Sequence, residues 1–104
     1  MDYPDVAAYK RWARIADTVD DAAIAAAVDA VNTYVARECT LLDPDEESPP
    51  DVVYGCLLLV NRLLARRNSP EGISGSIDGV VADIGRYDPD VARLLDPYTG
   101  AKLA

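Results

Sequence analysis

The stretch Ser48–Gly72, SPPDVVYGCLLLVNRLLARRNSPEG, decides the fold. It reads as one helix with both ends written into it. Ser48 is placed to cap the first turn, Pro49 and Pro50 suit opening positions, and Asp51 sets a carboxylate at the positive end of the helix dipole. Arg62, Arg66 and Arg67 complement the negative end. Asn68 and Ser69-Pro70 then stop the helix, because the residue before proline is pushed out of helical geometry. Between those ends Val52, Val53, Cys56, Leu57, Leu59, Val60, Leu63 and Leu64 fall on one side. That stripe is roughly 160° wide at ~100° per residue, broader than the ~100° that a surface helix needs. Leu58 falls outside it, flanked by Tyr54, Asn61 and Ala65. Such a helix is expected to be wrapped on most sides, partly by its own domain and partly by another copy.

Upstream, Pro4 to about Ala13 predicts a short first helix, with Asp2 and Asp5 near its start and Lys10, Arg11 and Arg14 near its end. Val6, Tyr9 and Trp12 are the candidates for its buried side. Thr18 with Asp21 three residues later resembles a capping box, from which a second helix runs to about Glu38. Its Ile24, Val28, Val31 and Val35 recur at four-three-four spacing, a narrow seam suited to the broad stripe of the central helix. Leu41 to Glu47, with a proline among clustered acids, is a loop.

Downstream the texture changes. Gly72, Gly75, Gly79 and Gly85 alternate imperfectly with Ile73, Ile77, Val80, Val81 and Ile84, which predicts an extended arm or weak hairpin over 72–86. Asp88-Pro89-Asp90 then starts a last short helix whose apolar face is Val91, Leu94 and Leu95, ended by Asp96-Pro97. The expected architecture is a single all-α domain, a small bundle of about three to four helices. Residues 1–71 form its core, 72–86 the glycine-rich extended arm, and 87–104 a short C-terminal docking helix and tail. An isolated hairpin is marginal in water, so the arm needs something to rest on. The apolar side chains of residues 73–98 are expected to be hidden by a repeating assembly.

The bulk properties restrict function. The chain has 104 residues, half of them hydrophobic, no Phe and no His, and a formal net charge of −8. That length fits one domain. A free-standing nucleic-acid binder needs a basic face, so the acidity argues against phosphate as the main partner. Cys39 and Cys56 read as two free buried thiols of a reducing compartment. The first residues show no signal-peptide pattern, and the longest apolar run, Cys56–Val60, is far too short to span a bilayer. A soluble protein made in the cytoplasm is expected, with no membrane partner.

No catalytic or metal site stands out. Asp20-Asp21 and the run Asp43-Pro44-Asp45-Glu46-Glu47 are the dense acid clusters. The first is more simply helix-start electrostatics and the second a solvated loop. The loop lacks the residue order of a calcium hand, and the glycines match neither the dinucleotide nor the P-loop spacing. Without His no nucleophile has an evident base. Arg62 and Arg66, four apart on one face and beside Arg67, could meet an anion, but favouring the helix end and pairing with acids is the simpler role.

Two segments carry a resemblance. Arg62-Leu63-Leu64-Ala65-Arg66-Arg67-Asn68-Ser69-Pro70-Glu71-Gly72 and Arg86-Tyr87-Asp88-Pro89-Asp90-Val91-Ala92-Arg93-Leu94-Leu95-Asp96-Pro97-Tyr98 resemble the most recognisable stretches of the head-tail connector family of long-tailed phages, also called head-completion or head-to-tail adaptor proteins. The likeness runs from about Trp12 onward, in the order of its elements. It implies a non-enzymatic virion protein of the neck, without cofactor. Such a protein forms a ring, usually of twelve copies, between the portal protein and the downstream stopper or tail-completion protein, and double-stranded DNA passes through without specific binding. Portal docking would fall on Tyr87, Asp88, Val91, Leu94, Leu95, Pro97 and Tyr98. Contacts between neighbouring copies would fall on Ile73, Ile77, Val80, Val81 and Ile84. Asp20 and Asp21, or Asp43, Asp45, Glu46 and Glu47, would line the bore, where repelled DNA slides. The alternative is a small acidic cytosolic helical interaction module or regulator that masks a basic partner. A carboxylate-dependent hydrolase using Asp20 or Asp45 is a third reading.

Overall fold

A computed structural model describes residues 2–67 and 77–100. Its helices are α1 (Val6–Ala13), α2 (Asp21–Glu38), α3 (Pro50–Arg67), α4 (Ile77–Tyr87) and α5 (Pro89–Leu95), and a 3₁₀ turn over Asp96–Tyr98 follows α5. Every regular element among the described residues is helical, so the all-α expectation holds.

The broad stripe of α3 explains the packing. Val52, Cys56, Leu59, Val60 and Leu63 are all but completely buried, and Leu57 nearly so. α3 is therefore central, packed against α1, α2, α4 and α5. The α2 seam of Ile24, Val28, Val31 and Val35 is buried as its spacing required. Each such side chain taken wholly out of water contributes about 1.5–3 kcal/mol before entropy costs. No charged side chain enters this core among the described residues.

The helix starts differ from expectation in two places. The Ser48 hydroxyl donates to the carbonyl of Asp2 instead of capping α3. It is the Pro49 carbonyl that accepts the first helical bond, from Val53 N–H. At α2 the capping box does not form: the cap residue is Asp20, whose side chain makes no capping hydrogen bond to the helix, and Asp21 pairs with Lys10 at 2.6 Å. That pair ties the end of α1 to the start of α2. α1 itself is capped by Asp5, whose carboxylate accepts from Ala8 N–H at 2.8 Å.

The larger correction concerns residues 72–86. From Ile77 onward the expected extended arm is helical, continuing to Tyr87; residues 72–76 lie outside the described residues. Ile77, Val80, Val81 and Ile84 are spaced three, one and three apart, which on a helix is one face. Val81 and Ile84 on that face are 0% and 2% exposed.

Two glycines set how closely the helices meet. A Cβ at Gly85 of α4 would lie 2.5 Å from the Tyr34 ring of α2. A Cβ at Gly55 of α3 would lie 2.9 Å from Leu95 Cδ2 of α5. Both glycines are helical contact points.

Candidate functional site

The two segments carrying the resemblance meet in space. Arg62, in the fourth turn of α3, sends Nε to Asp88 Oδ2 at 3.0 Å and a terminal nitrogen to Asp90 Oδ2 at 3.2 Å. Asp88 is also the N-cap of α5, its Oδ1 accepting from the N–H groups of Asp90 (3.0 Å) and Val91 (3.2 Å). Burial pushes its carboxyl up, but the bonds from Arg62, Val91 and Asp90 together with the Arg62 charge outweigh this and hold it below the ordinary carboxylate range. Asp88 and Asp90 in turn hold the Arg62 guanidinium charged, chiefly through the bond to Asp88. At the other end of α5, the Tyr98 hydroxyl donates to Asp51 at the start of α3, 2.7 Å from Oδ1. That bond raises the phenol above its ordinary value. α5 is thus latched to α3 at both ends.

This geometry sorts the residues expected to dock on the portal. Val91 and Leu95 are 0% and 2% exposed, filling the protein's own core. Asp88 and Tyr98 are committed to Arg62 and Asp51. Leu94 is half-buried, whereas Pro97 and, above all, Tyr87 at 71% face solvent. Of the residues expected to touch neighbouring copies, Val81 and Ile84 are likewise core, Val80 is half-buried, Ile77 is 36% exposed, and Ile73 lies outside the described residues. The expectation that an assembly must hide the apolar residues of 73–98 is therefore corrected for Val81, Ile84, Val91 and Leu95. α4 and α5 both pack on the central helix, and these are the side chains they bury.

The two acidic sets do not come together. Asp20 and Asp21 stand at the start of α2, and Asp43, Asp45, Glu46 and Glu47 lie exposed beyond its end. Eighteen helical residues separate them, a rise of roughly 27 Å at ~1.5 Å each. Asp20 borders a cleft of about 310 Å³ with Tyr9, Ile15, Ile24, Asn61 and Leu64. There the Tyr9 hydroxyl donates to Asn61 Oδ1 at 3.1 Å. One carboxylate, an amide and a phenol give this recess its polar lining. No cluster of three or more metal-ligating side chains occurs among the described residues, and no described helix is long and apolar enough to cross a membrane.

Cys39 and Cys56 are buried, 3% and 1% exposed, and are not joined in a disulfide. Burial, reinforced by the neighbouring Cys39, pushes the Cys56 thiol up to about 12. A thiol so placed is a core side chain and a poor nucleophile.

Sequence reasoning missed one exposed feature: the contact of Trp12 with Tyr54. The rings stand edge-on with centroids 6.2 Å apart, Trp12 36% and Tyr54 47% exposed. Tyr54 was placed outside the apolar stripe, but nothing in its spacing revealed that α1 would bring Trp12 to it. Compared with known proteins, the chain matches no family model, no curated protein and no solved structure.

Proposed function

We propose that this chain is a non-enzymatic structural component of a phage neck, a head-to-tail adaptor forming a ring between the portal and the downstream stopper or tail-completion protein. What carries the reading is the direct pairing of the two segments that resemble that family: the arginine-ended end of α3 grips the Asp-Pro start of α5 through Arg62, Asp88 and Asp90. That clasp holds the C-terminal element in a fixed pose and leaves Tyr87 and Pro97 exposed beside it, the pair assigned here to portal docking. The chain needs no cofactor in this role. With a net charge of −8, a bore lined by several copies repels duplex DNA and lets it slide.

Electron microscopy of virion necks containing this chain, with capture of the purified protein by its portal, tests the proposal. A ring of this chain under the portal supports it, and a neck without the chain refutes it. The exposed acids from Asp43 to Glu47 favour a second reading, a cytosolic module masking a basic partner. That reading predicts a one-to-one complex with a basic protein and no ring at any concentration.

A further inference from the structure

The end of α1 carries a basic recess on an otherwise acidic chain. Ala7, Lys10, Arg11, Arg14, Ile15 and Ala16 line a shallow hollow of about 500 Å³. Its lining holds cations and apolar side chains and no carboxylate. Lys10 is committed to Asp21 at 2.6 Å. Arg11 and Arg14 are exposed, and neither side chain makes an ion pair or hydrogen bond among the described residues. The hollow therefore keeps two unspent positive charges beside a floor of alanine and isoleucine.

Helix-end electrostatics account for part of this. Cations in a last turn offset the helix dipole, which suits Lys10 and Arg11. Arg14 is different. It is the C-terminal cap residue of α1 in the left-handed conformation, φ 60° and ψ 47°, and the only non-glycine residue with positive φ among the described residues. Glycine is what such a cap favours, because a Cβ there crowds the neighbouring carbonyl. The cap's own bonds are backbone ones that glycine would make as well: Arg14 N–H to the Arg11 carbonyl at 3.3 Å and Ile15 N–H to the Lys10 carbonyl at 2.9 Å. An arginine in that slot costs stability, and its side chain makes no bond within the fold to offset the cost.

The complement to this recess lies on the same chain. Glu46 N–H donates to the Asp43 carbonyl at 3.1 Å, closing a turn with Pro44 and Asp45 at its tip, and Asp45 N–H donates to Asp43 Oδ1 at 2.9 Å. Asp43, Pro44, Asp45, Glu46 and Glu47 are all exposed. The result is a convex acidic turn whose backbone is already fixed, so less entropy is lost when it docks.

We infer that the recess of one copy receives the acidic turn of another, the carboxylates around Asp45 pairing with Arg11 and Arg14. The two surfaces match in charge sign and in shape, cationic and concave against anionic and convex. They do not meet within a molecule. Lys10 ties the recess to the first residue of α2, whereas the turn follows the last, eighteen residues on, a rise of roughly 27 Å at ~1.5 Å each. A contact between two different patches of the same chain is head-to-tail, so it propagates, and closes into a ring if the rotation allows. Duplex DNA fits the recess less well. Its charge runs in a line far longer than the hollow and would lie over the rest of a chain of net charge −8, whereas the turn brings its carboxylates to the cations alone. The contact supplies a joint for the proposed ring and leaves Asp20 and Asp21 for the bore, but it holds or fails without a portal.

Sedimentation velocity of the full chain at physiological salt, at concentrations up to about 1 mM, tests it. The wild-type mass should rise with concentration. Arg11→Glu with Arg14→Glu reverses the recess, and Asp45→Arg with Glu46→Arg reverses the turn. Each pair of changes should weaken association by on the order of tenfold or more, since like charges then face each other. Mixed in equal amounts, the two reversed chains oppose unlike charges at every contact between them, so they should associate although neither does alone. Arg14→Gly separates this role from a structural one: it should melt no earlier than wild type, its left-handed strain being relieved, and yet associate less. A wild type that stays monomeric throughout overturns the inference, as does association indifferent to the reversals or to Arg14→Gly, or a mixture no heavier than its components. Binding of a duplex oligonucleotide that is lost on reversing the recess, in a chain that does not self-associate, assigns the recess to nucleic acid and overturns it too. Portal capture is read separately: self-association without portal binding refutes the adaptor and leaves this contact standing.

Discussion

Arg62 holds Asp88 at 3.0 Å while Asp88 caps α5, so one carboxylate both starts a helix and fastens it to the core. The two roles can be separated by substitution. Asp88→Ala loses cap and ion pair together and should cost about 1–2 kcal/mol. Asp88→Asn keeps the cap and should cost under about 1 kcal/mol, because the Arg62 side chain is 39% exposed and pairs open to solvent contribute little. Urea unfolding of the two variants measures the difference, and equal losses would show the cap to be idle.

The same carboxylate makes stability sensitive to acid. Its pKa is lower in the folded chain than the ordinary 3.8, despite the upward push of burial. The folded state therefore resists the proton that the unfolded state takes up. Its contribution is complete above 3.8 and is lost as pH falls through the lowered value. Between about pH 5 and pH 2 the wild type should lose more stability than Asp88→Asn, as read from urea midpoints at each pH. Parallel acid limbs would mean that Asp88 titrates alike in both states.

Gly85→Ala sets packing against propensity. Alanine favours the helix by about 1 kcal/mol over glycine, but its Cβ would fall 2.5 Å from Tyr34 Cε2 and 2.6 Å from the hydroxyl. The ring is only 9% exposed and has little room to swing, so overpacking of about 1–3 kcal/mol should win. In a Tyr34→Leu background the same substitution should turn neutral or stabilising. Thermal melts of the four chains close the cycle.

That glycine also explains where the sequence misled. The central helix was legible because Pro49 and Pro50 mark its start and a broad apolar stripe runs along it, and α2 because its apolar residues keep one period; the stop expected at Asn68 and Ser69-Pro70 lies outside the described residues. α4 was hidden by its composition: Gly79, Gly85 and the β-branched Ile77, Val80, Val81 and Ile84 all disfavour helix in isolation. Burial of Val81 and Ile84 against α2 and α3 overrides that preference, and Gly85 makes room for Tyr34. The three-and-four spacing was present and outweighed by residue type. The Trp12–Tyr54 contact had no comparable trace, since it depends on the path of the chain between α1 and α3.

Cys56 should limit stability at the alkaline end. Its thiol is pushed up to about 12 by burial, from an ordinary 9.0. The unfolded thiol ionises first, so the contribution is complete below 9 and lost as pH climbs toward 12. Cys56→Ala should flatten part of that limb, the rest belonging to Tyr3, Tyr9 and Tyr34, whose phenols burial also raises, and to Tyr98, whose phenol is raised by its bond to Asp51. The native thiol should resist iodoacetamide at mildly alkaline pH until denaturant is added. Rapid labelling of Cys56 in the folded chain would contradict its burial.

Tyr87 and Val91 lie four residues apart in the segment assigned to portal docking, yet they make opposite predictions. Tyr87 is 71% exposed and Val91 fully buried. Tyr87→Asp should leave the melting temperature close to wild type, since exposed substitutions usually stay within about 0.5 kcal/mol, and should abolish capture by portal protein. Val91→Ala empties part of the core and should cost about 1–3 kcal/mol, but below its melting temperature the variant should still be captured. Melting curves and portal pull-downs on both variants separate the effects. Capture that survives Tyr87→Asp removes Tyr87 from the docking surface. Capture lost on Val91→Ala in a fully folded chain would mean that α5 must shift to expose its core face, which the clasp of Arg62 on Asp88 opposes.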